Sequence, residues 1–148
     1  MRSDNRFRRA RSGGALVELV VVFPILLLLI IGAVDYGRAF YTSVTVANAA
    51  RAGAEFGARD LALTGDTVSM KQFAQSDGQE AGTLTLSARR YCECGPGVTN
   101  GGCTACGSGA APDVYVEVTA SKSLNMFLPY PGLPSSVLIT RTATFRNQ

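Results

Sequence analysis

The stretch Ala15 to Val34, ALVELVVVFPILLLLIIGAV, decides the fold of this chain. It is 20 residues long, and Glu18 is its only charged residue. As an α-helix it would reach about 30 Å, the thickness of the hydrocarbon core of a bilayer. A helix that is apolar on every side must be buried on every side, which a small soluble domain rarely achieves. The stretch therefore predicts a transmembrane helix, residues 14–34, between a short head and an exported domain.

The head, residues 1–13, holds the basic charge of the chain. Five arginines stand there against one aspartate, a formal charge of +4, whereas the whole chain of 148 residues carries +3. Positive charge beside an apolar helix is retained in the cytoplasm. We therefore expect the head inside the cytoplasmic membrane and everything after residue 34 outside it. Because the basic residues are not spread over a folded surface, nucleic acid is not an expected partner.

All four cysteines lie on the predicted outer side, in a glycine-rich loop over residues 92–106 with the spacing C-x-C-x8-C-x2-C: Cys92, Cys94, Cys103 and Cys106. An even number of cysteines in a small exported domain favours disulfides. A zinc site, free thiols and a redox pair are the alternatives, but a CxC opening is less usual for zinc and no βαβ pattern surrounds the loop. We expect disulfides, no metal and no cofactor. Antiparallel flanking strands would favour the nested pairing Cys92–Cys106 with Cys94–Cys103.

Two other interpretations of the apolar segment are open. A cleaved secretory signal usually has a shorter apolar core of about 7–15 residues and a small-residue cut site, which is poor here. A plain membrane anchor explains the length and the charge, but it leaves the Gly13-Gly14 pair and Glu18 unexplained. An ionisable residue at mid-membrane costs about 2.5–3.5 kcal/mol, and less near an end, so a function and an ionic partner are expected for it. A cut between the two glycines would make Glu18 the fifth residue and create an α-amine that could pair with a carboxylate in lipid.

The same residues resemble a known family. The segment R-x-S-G-G-A-L-V-E, followed by an apolar run with Phe23-Pro24, resembles the signal of type IV pilins and pseudopilins. The longer string resembles the TadE-like family of the tight-adherence (Flp) pilus system, through Ala15-Leu16-Val17-Glu18, Gly32-Ala33-Val34-Asp35-Tyr36-Gly37-Arg38-Ala39 and Asn48-Ala49-Ala50-Arg51. The resemblance covers about residues 11–55. One departure is Ala52, where family members often have an acid directly after the arginine.

The resemblance implies a function. It implies a pseudopilin or minor pilin of a bacterial pilus assembly and secretion machine, held in the inner membrane and cut between Gly13 and Gly14 by a prepilin peptidase. Glu18 would then dock onto the amine of a neighbouring subunit. The implied partners are the peptidase, other pilins or pseudopilins, and pilus assembly proteins. A fixed assembly factor, an uncleaved membrane-anchored binding protein and an exported thiol or metal protein remain as alternatives.

Residues 35–60 are expected to continue the helix beyond the membrane. Pro24 predicts either a harmless kink or a helix bend that assists assembly. Asp35 and Arg38, three residues apart, are expected to pair at the level of the lipid headgroups. Alanines from Ala47 to Ala58 recur every three or four residues, and such a small-residue face packs against the chain's own domain or a neighbouring subunit. Arg51 is expected to form a local salt bridge.

Residues 61–148 predict a small α+β domain. Asp66 or Thr67 can cap a short helix over Val68 to Gln75. Alternating apolar and polar residues predict three antiparallel strands, at Thr83–Ala88, Asp113–Ala120 and Val137–Phe145. Arg141 falls on the apolar face of the last strand, so it should reach a sheet edge or an acid. The expected fold is a long N-terminal helix with a short helix and a three-stranded sheet, the plan of pilin-like subunits.

We expect no enzymatic activity. The chain has no histidine, the commonest general base and metal ligand. It also contains no G-x-S-x-G element and no phosphate-cradling glycine loop. The sequence therefore favours a protein that is itself the substrate of a peptidase.

Overall fold

The computed structural model describes residues 10–95, 97–100, 103, 106–107, 109–127, 132 and 134–147. The described elements run in the order α1 (Ala10–Ala58), α2 (Thr67–Asp77), β1 (Thr85–Glu93), β2 (Thr99–Asn100), β3 (Asp113–Asn125) and β4 (Ser136–Arg146), with short 3-10 helices at Leu63–Gly65 and Gln79–Ala81. The chain divides into two compact units, residues 1–38 and 39–148. Residues 1–9 of the predicted head lie outside the described residues.

The first unit is helical wherever it is described. Its large apolar side chains from Leu16 to Ile30 are exposed on all sides of the helix. Such a surface is stable only when lipid or other apolar helices cover it. In the described part of the chain, α1 is the one helix long and apolar enough to cross a membrane. The apolar helix therefore indicates membrane anchoring, as the sequence predicts.

In the second unit the C-terminal half of α1 packs against α2 and the sheet. A Cβ atom added at Gly53 would lie 2.8 Å from the carbonyl oxygen of Met70, and one at Gly57 would lie 2.9 Å from Cγ1 of Val116. Because neither glycine carries a side chain, α1 can lie closer to α2 and β3 at these positions than it could with any larger residue. Ala50 and Ala54 are fully buried on the same side. The small-residue face thus packs on the chain's own domain, one of the two alternatives left open by the sequence.

The sheet is antiparallel, with the strand order β2-β1-β3-β4. Its three long strands are those predicted from alternation, with two differences in length. β1 begins at Thr85 instead of Thr83 and continues to Glu93 instead of Ala88. β3 continues to Asn125 instead of Ala120. Val116, Val118 and Ala120 turn inward and are fully buried. They join two adjoining core clusters, which also contain Val46, Ala49, Ala50, Ala54, Met70, Ala74, Leu84 and Ile139. The α+β class and the three-stranded antiparallel sheet are confirmed, with the two-residue β2 added at one edge.

The short helix α2 begins as predicted. Asp66 is its N-cap, and the carboxylate accepts hydrogen bonds from the backbone N–H of Ser69 at 3.0 Å and from its hydroxyl at 2.6 Å. The hydrogen bond from the Ser69 hydroxyl is the main cause that lowers the pKa of Asp66. This capping carboxylate fixes where α2 starts and therefore where Met70 and Ala74 enter the core.

The disulfide pairing differs from the nested arrangement favoured by the sequence. Cys92 is bonded to Cys103 and Cys94 to Cys106, with Cα–Cα distances of 5.2 Å and 5.5 Å. Nested pairing requires the segment around Cys103 and Cys106 to run antiparallel beside β1. That place is taken by β2, in which Asn100 is opposite Cys92. The nested prediction was therefore wrong because the antiparallel partner of β1 begins earlier in the chain.

Candidate functional site

The predicted processing and docking residues lie near the beginning of α1. The helix starts at Ala10, so Gly13 and Gly14 belong to its first turns, and a Cβ atom at Gly14 would meet nothing within 4 Å. Glu18 follows Gly14 by four residues, so the two share one face of the helix. The Glu18 side chain is exposed and has no hydrogen-bond or ion-pair partner among the described residues. A carboxylate on an otherwise apolar helix is costly in a membrane unless an ionic partner faces it.

Pro24 lies inside α1, and the helix continues without a break on both sides of it. Proline has no N–H to donate to the preceding turn, so one carbonyl of that turn lacks its helical hydrogen bond. The role of Pro24 as a helix bend stays a prediction.

Asp35 and Arg38 approach each other one helical turn apart. Oδ1 of Asp35 lies 3.7 Å from Nη1 of Arg38, and Asp35 is buried, with 4% of its surface exposed. Burying a carboxylate costs free energy because it loses hydration, and a neighbouring guanidinium offsets part of that cost. Their position at the membrane interface remains a prediction.

The Asn48-Ala49-Ala50-Arg51 element contributes residues both to the core and to the exposed side of α1. Ala49 and Ala50 are fully buried in the core, whereas Asn48 and Arg51 are exposed. The expected salt bridge of Arg51 is not present among the described residues. Its nearest acid on the helix face, Glu55, instead approaches Arg59 at 3.7 Å. Arg51 is thus an exposed cation on a helix whose other side is packed.

The cysteine loop closes onto the end of β1. Cys92 is fully buried, and no cysteine among the described residues is free. A cavity of about 460 Å³ beside the loop is lined by Leu61, Arg90, Cys103, Ala111, Pro112, Asp113, Val114 and Asn147. Sulfur atoms in disulfides do not ligate zinc, which requires thiolates. This pairing therefore favours a structural role for the loop over thiol or metal chemistry.

The outer face of the sheet carries a cluster that the sequence reading missed. Nε and Nη2 of Arg89 donate hydrogen bonds to the two carboxylate oxygens of Glu117 at 2.7 Å and 3.0 Å, which raises the pKa of the guanidinium. Beside this pair the rings of Tyr91 and Tyr115 stack with centroids 5.3 Å apart. Burial is the main cause that raises the pKa of the Tyr91 phenol. The alternation within each strand was a usable signal, but the register that places Arg89 opposite Glu117 comes only from the fold.

Comparisons with known proteins agree with the N-terminal pattern. Residues 13–55 match the family model described as TadE-like protein. No curated protein and no solved structure matches the chain. The match begins at Gly13 and includes Glu18, the whole apolar stretch and the Asn48–Arg51 element. Residues 13–55 of the chain are therefore similar to the TadE-like family, as the sequence indicates.

Proposed function

We propose that this protein is a pseudopilin or minor pilin of a bacterial tight-adherence pilus machine and that a prepilin peptidase cuts it between Gly13 and Gly14. The observation that carries the proposal is the placement of Glu18. It stands alone on an apolar helix surface, four residues after Gly14, inside the segment that matches the TadE-like family. This family suggests a pilus-related protein, and the cut and the subunit role are our inference.

The proposed cut would create an ionic partner for Glu18, which has none among the described residues. After cleavage, Gly14 carries a positive α-amine at the edge of the apolar zone. In a medium of low dielectric constant, a carboxylate that finds such an amine on an adjacent subunit is strongly attracted to it, although desolvation offsets part of the gain. The pair would set the axial register between two subunits while their apolar helices pack together.

The proposed location follows from the charge of the head. The arginines before Gly14 favour a cytoplasmic head in the bacterial inner membrane and a periplasmic or extracellular domain. The proposed partners are the prepilin peptidase, other pilins or pseudopilins, and pilus assembly proteins. We propose no enzymatic activity for the chain itself.

Intact-mass measurement on protein from its native membrane tests the cut. We expect wild-type protein to lack Met1 to Gly13 and the Gly13→Ala variant to keep them. Gly37→Ala serves as the matched control, because it makes the same change in the same helix with no atom within 4 Å of the new Cβ. A full-length mature wild-type chain would refute the proposal and favour an uncleaved membrane anchor.

Cross-linking between subunits tests the docking role of Glu18. The Glu18→Ala variant should be cut normally but should lose cross-links between neighbouring helices. Glu55→Ala, which removes an exposed carboxylate from the same helix, should keep them. Equal cross-linking in both variants would contradict a docking role. A cut protein that never leaves the membrane would identify a fixed assembly factor of the same machine.

A further inference from the structure

The last strand of the sheet has a free edge. β4 pairs only with β3, so its other side has no strand partner within the described part of the chain. The backbone N–H of Asn147 donates to the carbonyl oxygen of Val114 at 2.9 Å. Backbone groups alternate in direction along an antiparallel strand, so every second residue before Asn147, such as Phe145 and Ala143, also bonds to β3. The residues between them, Thr142 and Thr144, turn their N–H and C=O groups away from β3. Such an edge is a template for an additional strand.

A groove runs beside this edge, between β4 and α1. Its volume is about 320 Å³. The groove is lined by Ala47, Asn48 and Arg51 from the helix and by Arg141, Thr142, Ala143, Thr144 and Phe145 from the strand. An extra strand on β4 would direct every second side chain into this groove, because side chains alternate between the two faces of a sheet.

The groove is positively charged. Arg51 and Arg141 line it together with no acidic residue, and neither has an ion-pair partner among the described residues. The guanidinium of Arg141 donates hydrogen bonds to the Ser43 hydroxyl at 2.6 Å and to the Thr140 carbonyl oxygen at 3.1 Å. These contacts hold the guanidinium of Arg141 near Ser43. The guanidinium of Arg51 extends from a position eight residues further along α1. At 1.5 Å per residue the two helix positions are about 12 Å apart.

We propose that the edge of β4 and its groove bind an extended, acidic segment of a partner protein by β-strand addition. Backbone groups of the segment would pair with Thr142 and Thr144. Because an extended chain rises about 3.3 Å per residue, carboxylates four residues apart are separated by about 13 Å and fit the two arginines. A small apolar residue midway between them would contact Ala143. The proposal depends on the second unit alone and not on cleavage at Gly13.

A second copy of this chain fits the groove less well than an acidic segment. Its own free strand, Ser136–Arg146, contains two arginines and no acid. Pairing of two such edges would add positive charge to a groove that already holds two cations, and like charges across a strand pair are destabilising. Charge complementarity therefore favours an acidic partner over self-association.

Two peptides test the proposal against the full-length chain in detergent micelles. The first, acetyl-TETVTET-amide, has carboxylates four residues apart, and the second replaces both glutamates with lysines. When a fluorescein label replaces the acetyl group of both peptides, we expect fluorescence anisotropy to detect binding of the acidic peptide only. Amide hydrogen exchange followed by NMR should slow about tenfold or more at Thr142 and Thr144 when that peptide binds. Exchange at Ala143, whose N–H already faces β3, should change little.

Charge variants complete the test. An exposed ion pair contributes about 0.2–1 kcal/mol, so Arg51→Gln should weaken peptide binding up to about fivefold. Arg59→Gln removes the same charge outside the groove and should leave binding unchanged. The proposal is overturned if the acidic peptide does not bind or if it binds without protecting Thr142 and Thr144. Equal weakening by both substitutions, or protection of the edge by dimerisation without peptide, would overturn it as well.

Discussion

The close approach of α1 to α2 and β3 depends on Gly53, and Gly53→Ala tests it directly. The new Cβ would lie 2.8 Å from the carbonyl oxygen of Met70, 3.0 Å from Cβ of Ala74 and 3.3 Å from Cγ1 of Val118. The first two atoms belong to the backbone or are fixed to it, so no side-chain rotation moves them away. Either α1 or α2 has to shift.

The magnitude follows from two opposing terms. Overpacking a well-packed core costs about 1–3 kcal/mol. Replacing glycine by alanine within a helix returns about 1 kcal/mol through helix propensity. Since the obstructing atoms are rigid, the overpacking cost should lie in the upper half of its range. We expect the free energy of unfolding to fall by about 1–2 kcal/mol, which corresponds to a decrease in Tm of roughly 4–10 °C for a domain of this size.

The assay is thermal unfolding of the full-length chain in micelles, followed by near-ultraviolet circular dichroism. Gly37→Ala is the matched control, because it makes the same change in the same helix where no atom lies within 4 Å. Its Tm should be equal to that of the wild type or higher. If Gly53→Ala is as stable as Gly37→Ala, the close packing between α1 and α2 is refuted.

Three further predictions concern the second unit. Asp66→Ala should lower the Tm at neutral pH, and acid should lower the Tm of the wild type in a similar way. Ser69 lowers the pKa of Asp66 in the folded state. The stability that the Asp66 carboxylate contributes is therefore present above the ordinary carboxyl pKa and is lost as the pH falls through the lowered pKa of the folded protein. A pH titration of Tm in both proteins should show a smaller acid decrease in the variant, and equal decreases would contradict the capping role. Met70→Ala removes a fully buried side chain and should cost about 2–5 kcal/mol in urea unfolding, whereas a loss below about 1 kcal/mol would contradict its place in the core. Replacing Cys92 and Cys103 together by serine should leave no reactive thiol in a thiol titration, and two reactive thiols would show that the remaining cysteines are not partners.

The elements of this fold could be predicted where a single period governs the sequence. An unbroken apolar run predicts the first part of α1, because lipid contact requires no polar face. Alternation predicts β3 and β4, because each has one buried face: Val116 and Ile139 are buried while their neighbours are more exposed. Asp66 was recognisable as a cap because its carboxylate can reach the N–H three residues later.

Features that depend on the relation between distant segments could not be predicted in the same way. The cysteine pairing depends on which segment lies beside β1, and the two residues of β2 are too short for any periodic signal. Arg51 was expected to form a local ion pair, but Glu55 approaches Arg59 instead. Arg141 was expected to reach an edge or an acid, and it reaches the sheet edge and a hydroxyl of α1. In each case the deciding contact involves a choice among residues that the sequence alone leaves equivalent.

The two crossed disulfides make the mass of the chain depend on whether it has entered an oxidising compartment. Thiols in the reducing cytoplasm stay reduced, whereas an oxidising compartment removes four hydrogen atoms from this chain when both bonds form. If the domain is exported as proposed, formation of both bonds would lower the mass by about 4 Da. Within one mass spectrum, loss of the head would report proteolysis and the missing hydrogens would report translocation, so the order of these two maturation steps can be read without separating the cell into fractions.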